Sequence, residues 1–239
     1  MDFEPETRGT LRLETRIYGT SVLGAPLRYI PCTGRCRLLV VAAIHGEEPE
    51  TTFLLSRSLR AFGNNFRSIA FALCANPDGV TLGTRGNANG VDLNRNFKTS
   101  NWSAQAVPSR SVLEAPRDTL LSPGTAPASE PETLALISLI EKLAPETILS
   151  MHAPIGCIDA PAATEIVREL GDVFGIPHVA DIGYATPGSL GTWCAERKKE
   201  CVTLELPRMP LELLFERFGR GFSEFLAGRD VPRDARRLL

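Results

Sequence analysis

Apolar runs of strand length alternate along this chain with stretches in which apolar residues recur every three or four positions. Residues 27–32 and the uninterrupted apolar run 38–44 read as strands, the second of them buried on both faces. From 49 to 62, Phe53, Leu54, Leu55 and Leu59 recur at helical spacing, and Pro49 suits the first turn of that helix. Residues 68–74 read as the next strand, and an irregular region rich in Gly, Asn and Pro then runs from 75 to 128. Order returns at Ser129-Glu130-Pro131-Glu132, which has the composition of a capping box, and Leu134, Ile137 and Ile140 carry the helix to Leu143. A strand over 147–151 delivers His152. Helix 162–174, a short strand 179–182, helix 191–198, strand 201–206 and an amphipathic helix 211–226 follow. Strands separated by helices predict an α/β fold: a mostly parallel central sheet with helices on both faces.

Composition narrows the class. With 239 residues, 43% of them hydrophobic, the chain is long enough for one sizeable core, so a single domain over 1–239 is expected, ending in an Arg-rich solvated tail at 229–239. A formal net charge of −2 provides no basic field for nucleic acid or an anionic membrane. The acidic start Met1-Asp2-Phe3-Glu4-Pro5-Glu6 lacks the features of a signal peptide, and no apolar run approaches the ~20 residues of a membrane span. A cytoplasmic protein is expected. Its six cysteines fit reduced thiols better than a disulfide framework, and Cys32 with Cys36 lacks the second pair that four metal ligands require.

The candidate chemistry gathers at strand ends, where open α/β sheets bind ligands. The run to Ile44 delivers His45-Gly46-Glu47-Glu48, whose imidazole and carboxylate are zinc-type ligands brought together by a tight turn. A third histidine ligand must be His152 or His178, since there are only three histidines. His152 directly follows a buried strand and is the better placed; a core histidine bonded to backbone is the alternative for it. His178 begins a strand expected at the opposite sheet edge. Glu205 stands one residue before the end of a third strand. Between 83 and 97, two arginines sit among glycines and asparagines, and the planar fork of arginine suits a carboxylate, so an anionic substrate is expected.

Taken jointly, His45-x-x-Glu48, Asn76-Pro77-Asp78-Gly79, Gly90-Val91-Asp92-Leu93-Asn94-Arg95-Asn96-Phe97, His152 and Thr203-Leu204-Glu205-Leu206 resemble the zinc metallocarboxypeptidases of the carboxypeptidase A type. The resemblance covers about residues 38–206. It implies one zinc per chain on His45, Glu48 and His152, with Glu205 as the catalytic glutamate. It also implies Arg85 as the group that steadies the oxyanion, Asn94 and Arg95 as holders of the substrate's terminal carboxylate, and Tyr184 as the family's mobile tyrosine. Ser129 to Thr133, Cys157-Ile158-Asp159, Gly183 to Ser189 and Trp193-Cys194-Ala195 further resemble the small bacterial murein peptide amidases. That branch implies cytoplasmic hydrolysis of the γ-D-glutamyl-meso-diaminopimelate bond in murein tripeptide, with a small peptide as partner, neither nucleic acid nor membrane, and a homodimer compatible with it. A broader metallocarboxypeptidase and a zinc acylase of N-acyl amino acids are the alternatives, separated by their substrates. A catalytically dead binding module is disfavoured because every catalytic type is present. Two stretches stay undecoded: Leu190 to Trp193 offers no charged partner for the diaminopimelate side chain, and 100–128 is read as a rim over the site rather than a plain surface loop.

Overall fold

The computed structural model describes residues 13–60, 66–111 and 117–230. A hairpin of β1 (Arg16–Thr20) and β2 (Pro26–Tyr29) leads to β3 (Leu38–Val41), α1 (Pro49–Arg60), β4 (Ile69–Ala72) and α2 (Pro77–Leu82). A 3-10 turn (Leu93–Arg95) and a second hairpin, β5 (Val107–Ser111) with β6 (Arg117–Leu121), precede α3 (Pro131–Leu143), β7 (Thr147–His152) and β8 (Ile155–Asp159). The chain continues through α4 (Glu165–Phe174), β9 (His178–Val179), α5 (Leu190–Glu196), β10 (Glu200–Pro207) and α6 (Leu211–Asp230).

Six strands form the central sheet in the order β4-β3-β7-β10-β8-β9, parallel throughout except where β8 runs antiparallel to β10. Every residue of β3 and β4 is buried, which is why those strands read as continuous apolar runs instead of alternating ones. One apolar cluster joins Val40, Leu149, Met151, Val202, Leu204 and Ile158 to α1, α4 and α6. The other joins Leu39, Val41 and Ile148 to α3 and α5. Side chains alternate across a strand, so Ser150 and His152 share the α3/α5 face with Ile148, and Cys157, Asp159, Thr203 and Glu205 stand on that same face. No helix among the described residues is long and apolar enough to cross a membrane.

The elements depart from the expected ones in instructive places. Asn76-Pro77-Asp78-Gly79, read as a turn, opens α2: Asn76 Oδ1 accepts from the Gly79 amide at 2.9 Å, and Pro77 occupies the first turn. The capping box at Ser129 is not made. Glu130 is the N-cap, with no side-chain cap bond, because distant partners take its carboxylate: Asn87 and Asn89 donate to it at 2.8 and 2.9 Å. Strand β8 was not expected; the antiparallel ladder with β10 makes residues 155–159 a strand. Helix α6 runs on to Asp230, whose carboxylate accepts from the Arg67 and Ser68 amides. The expected tail therefore begins no earlier than 231; residues 231–239 and the expected end of the first helix at Phe62 lie outside the described residues.

Candidate active site

Strand β3 stops at Val41, and the chain leaves the sheet through Ala43, whose φ of 51° is left-handed backbone for a non-glycine residue. The Ala43 amide is held by Thr51 Oγ1 at 3.0 Å, and that hydroxyl in turn donates to the Glu48 carbonyl at 2.9 Å. This short circuit folds His45 and Glu48 back over the sheet. Gly46 is needed in the turn: a Cβ there would lie 2.0 Å from the carbonyl carbon of Gly79 in α2.

His152, at the end of β7, meets that turn. His45 Nδ1 lies 2.7 Å from Glu48 Oε1, and His152 Nδ1 lies 3.1 Å from Glu48 Oε2 and 3.1 Å from His45 Nδ1. All three residues are buried, and their ligand atoms fall within 4.8 Å of one another. The outer ring nitrogens decide what this cluster can hold. His45 Nε2 is 3.2 Å from Asp92 Oδ1, and Asp92 also accepts from Arg85 Nε at 3.0 Å and from the Asn94 amide at 2.9 Å. A carboxylate surrounded by donors can only accept, so Nε2 carries the proton of a neutral His45 and Nδ1 keeps its lone pair. His152 Nε2 is likewise 3.1 Å from the Ser150 hydroxyl. With Nε2 protonated on both rings, two imidazole lone pairs and a carboxylate converge on one buried space. That donor set fits a borderline cation such as zinc, with its second layer of partners already in place.

Charges around the cluster are tuned by their neighbours. Burial works against a charge on Glu48, but in the metal-free site His45 and His152, when protonated, overcome it and hold the carboxyl well below the usual carboxylate range. Burial opposes ionisation of Asp92 too, and Arg85 followed by His45 keeps it ionised. The Arg85 guanidinium points at the cluster, with Nη1 3.5 Å from Glu48 Oε1 and 3.7 Å from Glu47 Oε1. Glu205, opposite His152 in the ladder of β10 and β7, is 6% exposed and its Oε2 has no hydrogen-bond partner. Burial raises its pKa.

A cavity of about 880 Å³ opens over these groups and reaches Asn94, Arg95 and Tyr184. Asn94 Oδ1 accepts from the Leu190 amide at 2.9 Å. Arg95 is 5% exposed; Nη1 donates to the Asn94 carbonyl at 2.8 Å, while Nε has no partner and burial lowers the pKa. A buried guanidinium left short of an anion is a receptor for one. Gly188, with φ 71°, lets the loop after Tyr184 close on this residue: a Cβ there would sit 2.2 Å from the Arg95 carbonyl oxygen. Tyr184 itself is 54% exposed on the cavity wall. The hairpin of β5 and β6 supplies Val107, Pro108 and Ser109 to the same wall, as a rim would. His178 takes no part, sitting on edge strand β9 with Nε2 2.8 Å from the Ala160 carbonyl.

The structure therefore brings together His45, Glu48, His152, Arg85, Asn94, Arg95, Tyr184 and Glu205. Sequence reasoning assigned no role to Asp92 or Ser150. The signal for Asp92 was its place inside the Asp-x-Asn-Arg run; Ser150 is marked only by being polar two residues before His152, on the same face. It also missed Glu130 and Glu132. Their buried carboxylates receive the Asn87 amide at 2.8 and 3.0 Å and so pin the loop that carries Arg85 and Asp92 to α3.

The chain as a whole is similar to known proteins. Residues 12–156 match the family model for zinc carboxypeptidases. Murein peptide amidase A of Escherichia coli strain K12 is 40% identical over 231 residues, 95% of each chain. The enzyme of the same name from Vibrio campbellii is 43% identical over 203 residues, covering 84% of this chain and 82% of its own. Among solved structures, murein-tripeptide amidase from Escherichia coli O157 superposes with a TM-score of 0.88 at 38% identity, covering 94% of this chain and 96% of that one. Carboxypeptidase A from Helicoverpa armigera shares the fold at 17% identity, with a TM-score of 0.67 over 91% of this chain and 67% of that one.

Proposed function

The chain belongs to the zinc carboxypeptidase family, and from that premise we propose that it hydrolyses the amide between γ-D-glutamate and meso-diaminopimelate in murein tripeptide. The observation that carries the reading is the convergence of His45 Nδ1, His152 Nδ1 and the Glu48 carboxylate beside an unpartnered Glu205 oxygen. The name of the relatives that match along nearly the whole chain supports the choice of substrate.

In this reading His45, Glu48 and His152 hold the zinc. Zinc in a three-ligand site supplies Lewis acidity and acidifies water to a pKa of ~7. Glu205 takes the proton of the attacking water and passes it to the leaving amine; its raised pKa brings it nearer the range in which a carboxylate can do both. Arg85 is tethered by Asp92 and aims its remaining N–H groups at the charge that develops on the carbonyl oxygen, an effect of about 3–4 kcal/mol in comparable sites. Asn94 and Arg95 bind the free α-carboxylate of diaminopimelate and so set the scissile bond. Tyr184, exposed on the wall, closes over bound substrate. The partner is a small peptide, without nucleic acid or membrane; the enzyme works in the cytoplasm, and a homodimer is compatible with this role. Purified, zinc-loaded protein incubated with the tripeptide and with α-linked peptides of the same ends should release diaminopimelate from the former. Release from the α-linked series alone would replace this reading with that of a general carboxypeptidase.

A further inference from the structure

The cavity continues past the catalytic groups along β8 and β10, and its far wall carries charge that the reaction does not use. Cys157 stands opposite Glu205 in the antiparallel ladder, and Asp159 stands opposite Thr203. Ile158 packs into the cluster behind the sheet, so Asp159 faces the cavity with Glu205 and His152. Asp159 is therefore displaced from the catalytic level by two residues, about 6–7 Å along the strand. It is half-buried, and Asp181 lines the same wall, with one carboxylate oxygen accepting from the Gly183 amide at 2.7 Å. Among the described residues no arginine or lysine is paired with either carboxylate. Burial and then Asp181 push the Asp159 carboxyl up, and His178 is the one neighbour that pulls it down. Two adjoining carboxylates without a cation, inside a substrate cavity whose other end holds an anion-seeking arginine, call for a ligand that is negative at one end and positive further along.

We propose that Asp159, reinforced by Asp181, is the specificity residue that receives the ammonium group at the far end of the substrate's C-terminal side chain. This rests on the amidase reading of the cavity. With the α-carboxylate on Arg95 and the scissile amide beside Glu205, the side chain of the terminal residue runs along the sheet past Thr203 towards Asp159. The wall thus favours a side chain that carries an ammonium group at its far end, as that of diaminopimelate does beside its second carboxylate. Leu190 to Trp193 contributes no charge to this recognition.

The test is a panel of γ-D-glutamyl peptides ending in diaminopimelate, lysine or norleucine, with α-linked counterparts run in parallel on the zinc-loaded enzyme. Wild type should prefer the lysine end to the norleucine end by about 10- to 100-fold in kcat/KM, the range of a charge-assisted hydrogen bond in a partly buried site. Asp159→Asn should collapse that ratio towards one, Asp159→Glu should keep most of it, and Asp181→Asn should reduce it by a smaller factor. A wild type indifferent to lysine against norleucine would overturn the proposal without any variant. So would an Asp159→Asn enzyme that keeps the wild-type ratio or loses turnover equally on all three ends. If only α-linked peptides are cleaved, the amidase reading falls, while the lysine-to-norleucine ratio in that series still decides the role of Asp159.

Discussion

Asp92→Asn keeps the shape of a side chain that is 1% exposed while removing its charge, and its effect follows from three distances. Oδ1 serves His45 Nε2 at 3.2 Å and the Asn94 amide at 2.9 Å, and Oδ2 serves Arg85 Nε at 3.0 Å. An amide has one oxygen for these three donors. Turned so that its oxygen serves His45 and Asn94, it sets its NH₂ against the Arg85 N–H and the guanidinium loses its tether. Turned the other way, it faces the Asn94 N–H with a second donor and moves the His45 proton onto Nδ1, the atom that faces the metal site. The first orientation satisfies two donors instead of one and should prevail. Zinc binding then weakens towards the lower end of the ~10- to 100-fold seen when such outer partners are removed. Catalysis suffers more, because a loosened Arg85 forfeits much of the ~3–4 kcal/mol of an oxyanion donor, on the order of 10²-fold in kcat/KM at saturating zinc. Competition with a chromogenic chelator gives the zinc affinity, and hydrolysis at excess zinc gives the second number. Both values within threefold of wild type, in a protein whose circular dichroism is unchanged, would show that Asp92 orients neither group.

Glu205→Gln should lower turnover by roughly 10²- to 10⁴-fold while zinc remains bound. Its folded pKa is raised by burial, so the stability linked to the neutral form is present at low pH and is lost as pH rises through that pKa. The metal-free variant should accordingly melt higher than metal-free wild type at pH 7 and equally at pH 3; a lower melting temperature at pH 7 would contradict the sign. Arg95→Ala should cut kcat/KM for the free tripeptide by about 2–5 kcal/mol and add little to the deficit of a substrate with its α-carboxylate amidated, since both changes remove one interaction. Additive losses in that cycle would take Arg95 out of carboxylate binding. His152→Ala should abolish stoichiometric zinc, whereas His178→Ala should leave it intact, as elemental analysis after gel filtration would read directly; the reverse result would break the ligand set.

The chain's local patterns carried a good part of this outcome. Continuous apolar runs gave β3 and β4 because a strand covered on both faces needs no polar alternation, and the sequence pattern placed β7, the start of α1, and α4 and α6 to within a few residues of their ends. The same patterns placed His152 at the mouth of the sheet and His178 away from it. Boundaries were less well read where a residue suited two local roles, as at Asn76-Pro77, equally a turn and a helix start.

Other features were invisible along the chain because they depend on what comes to lie beside a residue. Strand β8 owes its existence to a ladder with a strand more than forty residues further on. Ser129 and Glu130 look like a cap, yet Asn87 and Asn96, drawn in from over thirty residues away, outbid the helix terminus for their hydrogen bonds. Asp92 is one aspartate among many until folding excludes water from it and sets a histidine, an arginine and an amide against its two oxygens. Sequence periodicity records which side chains must leave water, since that preference belongs to each residue alone. Which charges then face each other, and with what proton on which atom, is a property of the packed space, where low dielectric and fixed distances give each polar neighbour an energy it does not have in the unfolded chain.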